Sequence, residues 1–565
     1  MNNKEKIDYL GRLVRVEGMS PADVAGLIQV PEVQAMGDFT LPCFRLAKLM
    51  RLAPVVIAEK LATELNASPD AKKHGVKAQA VNGYLNFFFD KAETAKTVIN
   101  STLKGIEVPQ LGAGKTVCVD YSSINIAKPF HIGHLSTTVI GGALCRIYKR
   151  LGYKVVGINH LGDYGTQFGK LISAFVRWGD KKTLMEKGMK YLTELYVRFH
   201  KEAEENPKLD DEARAYFKQI EDGDKKAMEL FGLFKEITLR EVDKVYKKLS
   251  ITFDSYDGEA FFNDKMAPVL EELKAKHLLV VSEGAQVVEL PDMPPCLLVK
   301  ADGATLYATR DLAAAFYRKK KYNFDKCLYV VAYQQNLHFR QWFKVVELMG
   351  YPWAHDLVHV QFGMVSLETG TMSTRKGNVT LLEDVISRAC ERALEILKEK
   401  SPELEGKESV AEKIGVGAVV FSALSGGRIK DIVFSYDKVL NFDGETAPYL
   451  QYTVARCNSI LKKANETVKH LTSTEGIINP EGEELVALIG RYPEVVADSA
   501  EKYEPSLISR HIMDTAQAFN RFYLNHRILN CTDLERPARL ALVASARAIL
   551  VDGLSLLGIE CPEAM

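Results

Sequence analysis

The densest chemistry in the chain lies in INIAKPFHIGH, where Lys128, His131, Gly133 and His134 crowd one short segment. The two imidazoles stand three residues apart at the expected start of a helix, whose unpaired N–H groups and partial positive charge suit a phosphate. Gly133 lets a flat base approach the backbone, and Lys128 adds a cation upstream. That is nucleotide-binding chemistry without the lysine-bearing GxxxxGK[ST] loop. A structural histidine pair or half a zinc site fits the spacing too, although zinc wants a third ligand and usually a nearby glutamate. A second basic segment, GTMSTRKGNV from Gly370 to Val379, places Ser373, Thr374, Arg375 and Lys376 between glycines. Alone it reads as an ordinary solvated loop.

Elements that would position these residues are legible around them. Thr116 to Tyr121 is an apolar, β-branched run expected as a buried strand, and Leu135, Val139, Ile140, Ala143, Leu144, Ile147 and Tyr148 recur at helical spacing. Pro129 suits the turn between the two. Further strands are expected at Lys154 to His160, Cys327 to Ala332 and Leu357 to Val365, with helices from Thr166, over Leu337 to Leu348 and over Leu381 to Leu397. Such alternation predicts an α/β fold with a doubly wound parallel sheet, whose ligands gather at the carboxyl ends of its strands.

Flanking segments differ in character. Residues 1–110 read as an α+β domain, with helical spacing from Leu46 to Leu65 and an alternating strand from Val81 to Asp90 that turns at Asn82-Gly83. Within the sheet domain, 111–410, the charged stretch 180–260 carries the stripes Leu192, Leu195, Tyr196, Phe199 and Leu230, Phe234, Ile237, which predict an amphipathic helical insertion. Residues 411–565 read as helical. There Arg510, Arg521, Arg527, His511 and His526 alternate with Phe519, Phe522 and Tyr523, a mixture that fits contact with unpaired bases.

At 565 residues the chain exceeds what one core supports, so several domains are required. Lys plus Arg and Asp plus Glu both number 73, so a polyanionic partner would have to be met by a local basic patch. Nine cysteines without a CxxC pair predict reduced, mostly buried thiols, none catalytic. No apolar run is expected to reach membrane-spanning length, and the polar start MNNKEKIDYL is no signal peptide, which predicts a cytoplasmic protein.

Together, INIAKPFHIGH and GTMSTRKGNV resemble the two signatures of class I aminoacyl-tRNA synthetases, and their spelling resembles the arginyl-tRNA synthetases. GDYGTQFG, YATRDLAAA, YQQNLHFRQ, FDGETAPYLQYTVAR and LLGIECPEAM extend the resemblance over essentially the whole chain. It implies a Rossmann-like catalytic domain between an α+β N-terminal domain that contacts tRNA and an all-α C-terminal anticodon-binding domain. Residues 180–260 become the connective insertion. The implied activity is ATP-dependent ligation of L-arginine to tRNA(Arg) through an arginyl-adenylate, by a monomer, with Mg2+ accompanying ATP and no metal held by the protein itself.

The resemblance also implies roles. His131, Gly133, His134, Met372, Ser373, Arg375 and Lys376 would surround ATP, with Lys128, His131, His134, Arg375 and Lys376 neutralising its phosphates. The second signature departs from KMSKS, because Arg375 stands at the second lysine and Lys376 is displaced by one; in the family Lys128 compensates. Selecting arginine calls for a carboxylate that a guanidinium can grip in a bidentate pair. Asp311 is the first candidate, covered by Tyr307 one helical turn earlier, with Asp120, Asn125 and Gln335 holding the rest of the amino acid. On residues alone, Asp311 also suits a helix N-cap. For tRNA, Asn82 and Tyr84, with Phe88, would meet the D-loop, and Arg510, Arg521 and Tyr523 the anticodon arm. Competing readings are another nucleotidyltransferase with the same histidine signature and a non-catalytic tRNA-binding relative; a metal-dependent hydrolase would need ligands that the sequence does not supply.

Overall fold

The computed structural model describes residues 3–31, 33, 36–73, 75–367, 380–467 and 469–565. At the N-terminal end, β1 (Phe39–Pro42), β2 (Val76–Val81) and β3 (Tyr84–Phe89) form an antiparallel sheet in the order β1-β3-β2. Asn82 (φ 49°) and Gly83 (φ 83°) turn β2 into β3, both in the left-handed region that a two-residue hairpin loop favours. Helical spacing over Leu46–Leu65 does not yield one helix. A short turn, Ala47–Met50, stops at left-handed Arg51 (φ 52°), and a second helix, Pro54–Ala67, starts on a proline, which needs no hydrogen-bond acceptor at a helix's first turn.

The four-stranded sheet that follows is fully parallel. Its strands β4 (Thr116–Asp120), β5 (Lys154–Ile158), β9 (Lys326–Ala332) and β10 (Leu357–Phe362) lie in the order β10-β9-β4-β5. Strand order reverses between β4 and β9, and the crevice beyond their carboxyl ends is where such a sheet binds ligands. The Leu135–Arg150 helix links β4 to β5 and lies so close that a Cβ on Gly141 would fall 2.2 Å from the Tyr121 ring.

Helices Lys181–Lys187, Met189–Glu205, Lys208–Glu221 and Lys225–Lys248 form the expected insertion, with Leu192, Leu195, Phe199, Phe234 and Ile237 buried. Before the sheet resumes, a three-stranded antiparallel unit not anticipated from sequence intervenes: β6 (Leu279–Ser282), β7 (Ala285–Val288) and β8 (Cys296–Val299). The strand expected from Leu357 to Val365 breaks at Gly363, where a Cβ would meet the Lys430 carbonyl at 2.4 Å. Beyond the break, β11 (Val365–Leu367) changes partner and pairs with β12 (Ile432–Phe434).

Four long helices, Ala447–Ala464, Pro480–Glu501, Ser506–Asn525 and Arg536–Leu557, complete the chain. Their apolar faces merge with the Leu135–Arg150 helix into one buried cluster, and Lys91–Lys104 packs on them as well. Contrary to the sequence expectation, Arg536–Leu557 is long and apolar enough to cross a membrane, but 67% of its most apolar window is buried inside the protein, as befits a core helix.

Candidate active site

The loop after β4 is unusual backbone. Ser122 (φ 68°), Ser123 (φ 43°) and Ala127 (φ 58°) are left-handed without being glycine, a conformation that persists only where its surroundings impose it. They do so from three elements. The Ser122 N–H donates to Thr137 Oγ1 (3.0 Å), the Ala127 N–H to Thr238 Oγ1 of the insertion (3.0 Å), and the Gly162 N–H to the Ile124 carbonyl (2.8 Å).

The loop delivers the chain to the histidine pair. Ile132–His134 is a tight 3-10 turn that leads into the Leu135–Arg150 helix, as the spacing predicted. The Gly133 N–H donates to His131 Nδ1 (3.1 Å) and the His131 N–H to His134 Nδ1 (3.2 Å), and the rings lie 4.1 Å apart. A nitrogen that accepts a bond carries no proton, so the hydrogen of a neutral His131 is on Nε2, whereas His134 Nδ1 also lies 3.2 Å from the His131 carbonyl and has a partner there in either tautomer. Burial lowers the pKa of both, and that of His134, also repelled by His131, falls to about 3. At neutral pH the pair therefore stands uncharged at a helix start, with the Nε2–H of His131 as a donor. Burial also lowers the Lys128 pKa, with the Glu259 carboxylate opposing the shift.

The expected Met372, Ser373, Arg375 and Lys376 fall within 368–379, outside the described residues. The described residues on either side sit at the histidine turn. β11 packs against Ile132–His134, the Ile132 N–H donates to the Thr380 carbonyl (3.1 Å), and the Leu382 N–H donates to the Phe130 carbonyl (3.0 Å). The described residues that flank the basic segment, β11 before it and Thr380–Leu382 after it, therefore both touch the other signature.

Tyr307 is the first residue of the Tyr307–Tyr322 helix and is 67% exposed. Leu306 is the N-cap, so Asp311, one turn inside, is not a capping residue. Its Oδ2 lies 2.6 Å from His338 Nε2. Sequence reasoning missed a second acid: Glu259, whose pKa burial raises to about 7, with Arg310 pulling it down and Asp311 and Asp163 pushing it up. Only its place between GDYG and YATRD hinted at it. Asp163 itself is buried and paired with Lys235 at 2.8 Å.

Asp120, expected at the amino acid, ends β4. It is 5% exposed; Oδ2 pairs with buried Arg318 (2.8 Å) and Oδ1 accepts from Ser123 Oγ (2.8 Å). Its charge is thus spent on the loop and on Arg318. Asn125 is exposed at the loop's crest beside Gly162, and Gln335 ends the short turn that follows β9. Both therefore stand where the strand order reverses.

Residues expected at tRNA separate into groups. Asn82 is exposed on its hairpin, and half-buried Tyr84 packs edge-on against exposed Phe44 at 4.9 Å. Arg510, Arg521 and Tyr523 are exposed on the Ser506–Asn525 helix, whereas His511, Phe519 and Phe522 are core, because they fall on its inward stripe. Arg521 pairs with Glu484 at 2.6 Å and lines a cleft of about 1090 Å³ between this bundle and the N-terminal sheet. Tyr523 belongs to another cluster: the Arg456 guanidinium lies over its ring at 5.2 Å and over exposed Tyr452 at 4.9 Å. Tyr452 and Arg456, four apart on one helix face, were missed in the sequence; their i,i+4 spacing was the available signal.

Comparison with known proteins matches this architecture. Residues 97–436 fit the family described as "tRNA synthetases class I (R), catalytic domain", residues 450–565 the "DALR anticodon binding domain", and residues 7–89 the "Arginyl tRNA synthetase N terminal domain". A protein named arginine–tRNA ligase from Alkaliphilus metalliredigens (strain QYMF) is 49% identical over 568 residues, spanning 100% of this chain and 99% of that one. Another of that name, from Clostridioides difficile (strain 630), is 50% identical over 98% of both. The solved structure titled Thermus thermophilus arginyl-tRNA synthetase superposes with a TM-score of 0.82 at 26% identity, covering 100% of each chain. With its signature turn, parallel sheet and C-terminal bundle shared along the full length of these relatives, the chain belongs to the arginyl-tRNA synthetase family of class I synthetases.

Proposed function

We propose that the chain ligates L-arginine to tRNA(Arg) at the expense of ATP, with both steps in the crevice beyond β4 and β9. The amino acid carboxylate attacks the α-phosphorus of the magnesium complex of ATP, an arginyl-adenylate forms, and pyrophosphate departs. The 2′-hydroxyl of the tRNA's terminal adenosine then takes the arginyl group and AMP leaves. Neither step needs an enzyme nucleophile, so the protein contributes position and charge neutralisation. Nε2–H of His131 and of His134 donates to phosphate oxygens above Gly133, while Lys128, Arg375 and Lys376 balance the departing pyrophosphate and Met372 and Ser373 border the nucleotide. Asp311 and Glu259 receive the guanidinium, Tyr307 covers it, and Asn125 and Gln335 hold the amino acid's other end. Asp120 supports the loop through Ser123 and Arg318.

Asn82 and Tyr84 on the N-terminal sheet, with Arg510, Arg521, Tyr523, Tyr452 and Arg456 on the bundle, form the tRNA-facing set. The protein works as a monomer in the cytoplasm. One observation supports this reading: the His131–His134 turn follows β4, and Asp311 is bonded to His338 on the helix that follows the neighbouring strand β9. The test is to incubate the protein with ATP, magnesium, bulk tRNA and each proteinogenic amino acid in turn. Arginine alone is expected to become acid-precipitable; a different amino acid, or none, would overturn the proposal.

A further inference from the structure

We infer that His338 is a positioning residue for arginine selection, fixing the Asp311 carboxylate and the distance between the two ends of the amino acid pocket. The inference rests on the reading of Asp311 as the acid that receives the guanidinium. His338 Nε2 lies 2.6 Å from Asp311 Oδ2. An ionised carboxylate only accepts, so the hydrogen between them is the imidazole's, and a donor bound to a charged oxygen at this range belongs to the strong class. Among the described residues Oδ1 has no hydrogen-bond partner, so Oδ1 and the second lone pair of Oδ2 remain for a bidentate guanidinium. Glu259 interacts electrostatically with Asp311, and the bond from His338 holds the Asp311 carboxylate in place.

The bond also joins two elements. Asp311 is on the Tyr307–Tyr322 helix, whereas His338 is on Asn336–Leu348, whose N-cap is Gln335. It therefore ties the guanidinium end of the pocket to the helix that carries the residue proposed for the other end. Packing sets the imidazole beforehand: Phe339 meets it edge-on at 5.5 Å, and buried Phe339 stacks on His359 at 4.3 Å. The side chains of His338 and Asp311 are 27% and 28% exposed, so general burial does not hold them and the bond itself must.

Steady-state aminoacylation by the full chain, with ATP and tRNA saturating, tests this with His338→Ala, His338→Gln and Asp311→Asn. Losing a hydrogen bond to a charged group is expected to raise the KM for arginine about 10- to 100-fold in His338→Ala. The KM for ATP should stay unchanged, and the preference for arginine over homoarginine, one methylene longer, should narrow. His338→Gln, which keeps a donor of similar reach, should recover most of the loss. An unchanged KM for arginine in His338→Ala, a parallel rise for ATP, or a glutamine no better than alanine would overturn the inference. If Asp311→Asn raises the KM for arginine and His338→Ala does not, this inference alone fails. If Asp311→Asn leaves it unchanged, the underlying reading of Asp311 falls and the inference falls with it.

Discussion

The histidine pair shows what burial does to a titratable donor. Because both rings are neutral at working pH, they bring hydrogen-bond donation to the phosphates without a charge that would hold pyrophosphate back. Removing a preorganised donor aimed at developing charge costs roughly 10²–10³ in kcat. We therefore expect His131→Ala to lower kcat for tRNA-supported ATP–pyrophosphate exchange by about that factor, with the KM for arginine unchanged; a KM effect alone would contradict the assignment. A second histidine makes a pH prediction. His511, 4% exposed, donates from Nε2 toward the Leu488 carbonyl (3.0 Å), and burial, reinforced by Arg491, pushes its pKa down from 6.5 to about 4. The unfolded chain takes up the proton first, so stability present above pH 6.5 is lost as pH falls toward 4. Between pH 7 and pH 5 this one group should cost about 2 kcal/mol, from 1.36 kcal/mol per pKa unit. Urea unfolding of His511→Gln should show a correspondingly shallower decline; equal slopes would remove the group from the account.

At the scale of elements, close approach matters most. Gly141 lets the helix behind the histidine turn press onto Tyr121 at the end of β4. Gly141→Ala should overpack that contact and destabilise the protein by about 1–3 kcal/mol, read as a lower urea midpoint, with kcat falling as the turn shifts; an unchanged midpoint would contradict the packing argument. The same scale explains what the sequence revealed. Period and β-branching exposed β4, β9 and the Leu135–Arg150 helix, because the strands are largely buried and the helix, though buried almost all round, carries its large apolar residues at helical spacing. They could not reveal that Gly363 ends β10, since the cause is the Lys430 carbonyl, far along the chain. Nor could they show that Leu46–Leu65 divides, although Pro54 was in plain view. The resemblance singled out Asp311 and Tyr307, while Glu259 went unnoticed, because an acid that opens a short 3-10 turn has no periodicity to betray it. The Arg318 partner of Asp120 was not legible, since it is remote in sequence.

For the whole molecule, the C-terminal bundle is part of the catalytic domain's core and no detachable module. One apolar cluster takes in buried residues from Ala95 to Ile559, including those of the Leu135–Arg150 helix and of all four C-terminal helices. Removing everything after Gly444 would strip that core, so loss of tRNA binding in such a truncation would report unfolding. Surface variants answer the question instead. Arg456→Ala combined with Tyr523→Ala should raise the KM for tRNA about tenfold or more, because base–aromatic stacking contributes roughly 1–3 kcal/mol per base. The KM for arginine and for ATP should not move; if they rise in step with that for tRNA, the cluster is structural.

All of this depends on one pocket being shared by two segments more than two hundred residues apart. A crystal structure of the full chain with a non-hydrolysable arginyl-adenylate analogue measures that directly. The account predicts the analogue's phosphate beside His131 and His134, its guanidinium on Asp311 with His338 still bonded to Oδ2, and Arg375 or Lys376 reaching it from the Gly370–Val379 loop. An analogue bound elsewhere, or a guanidinium turned away from Asp311, would contradict it.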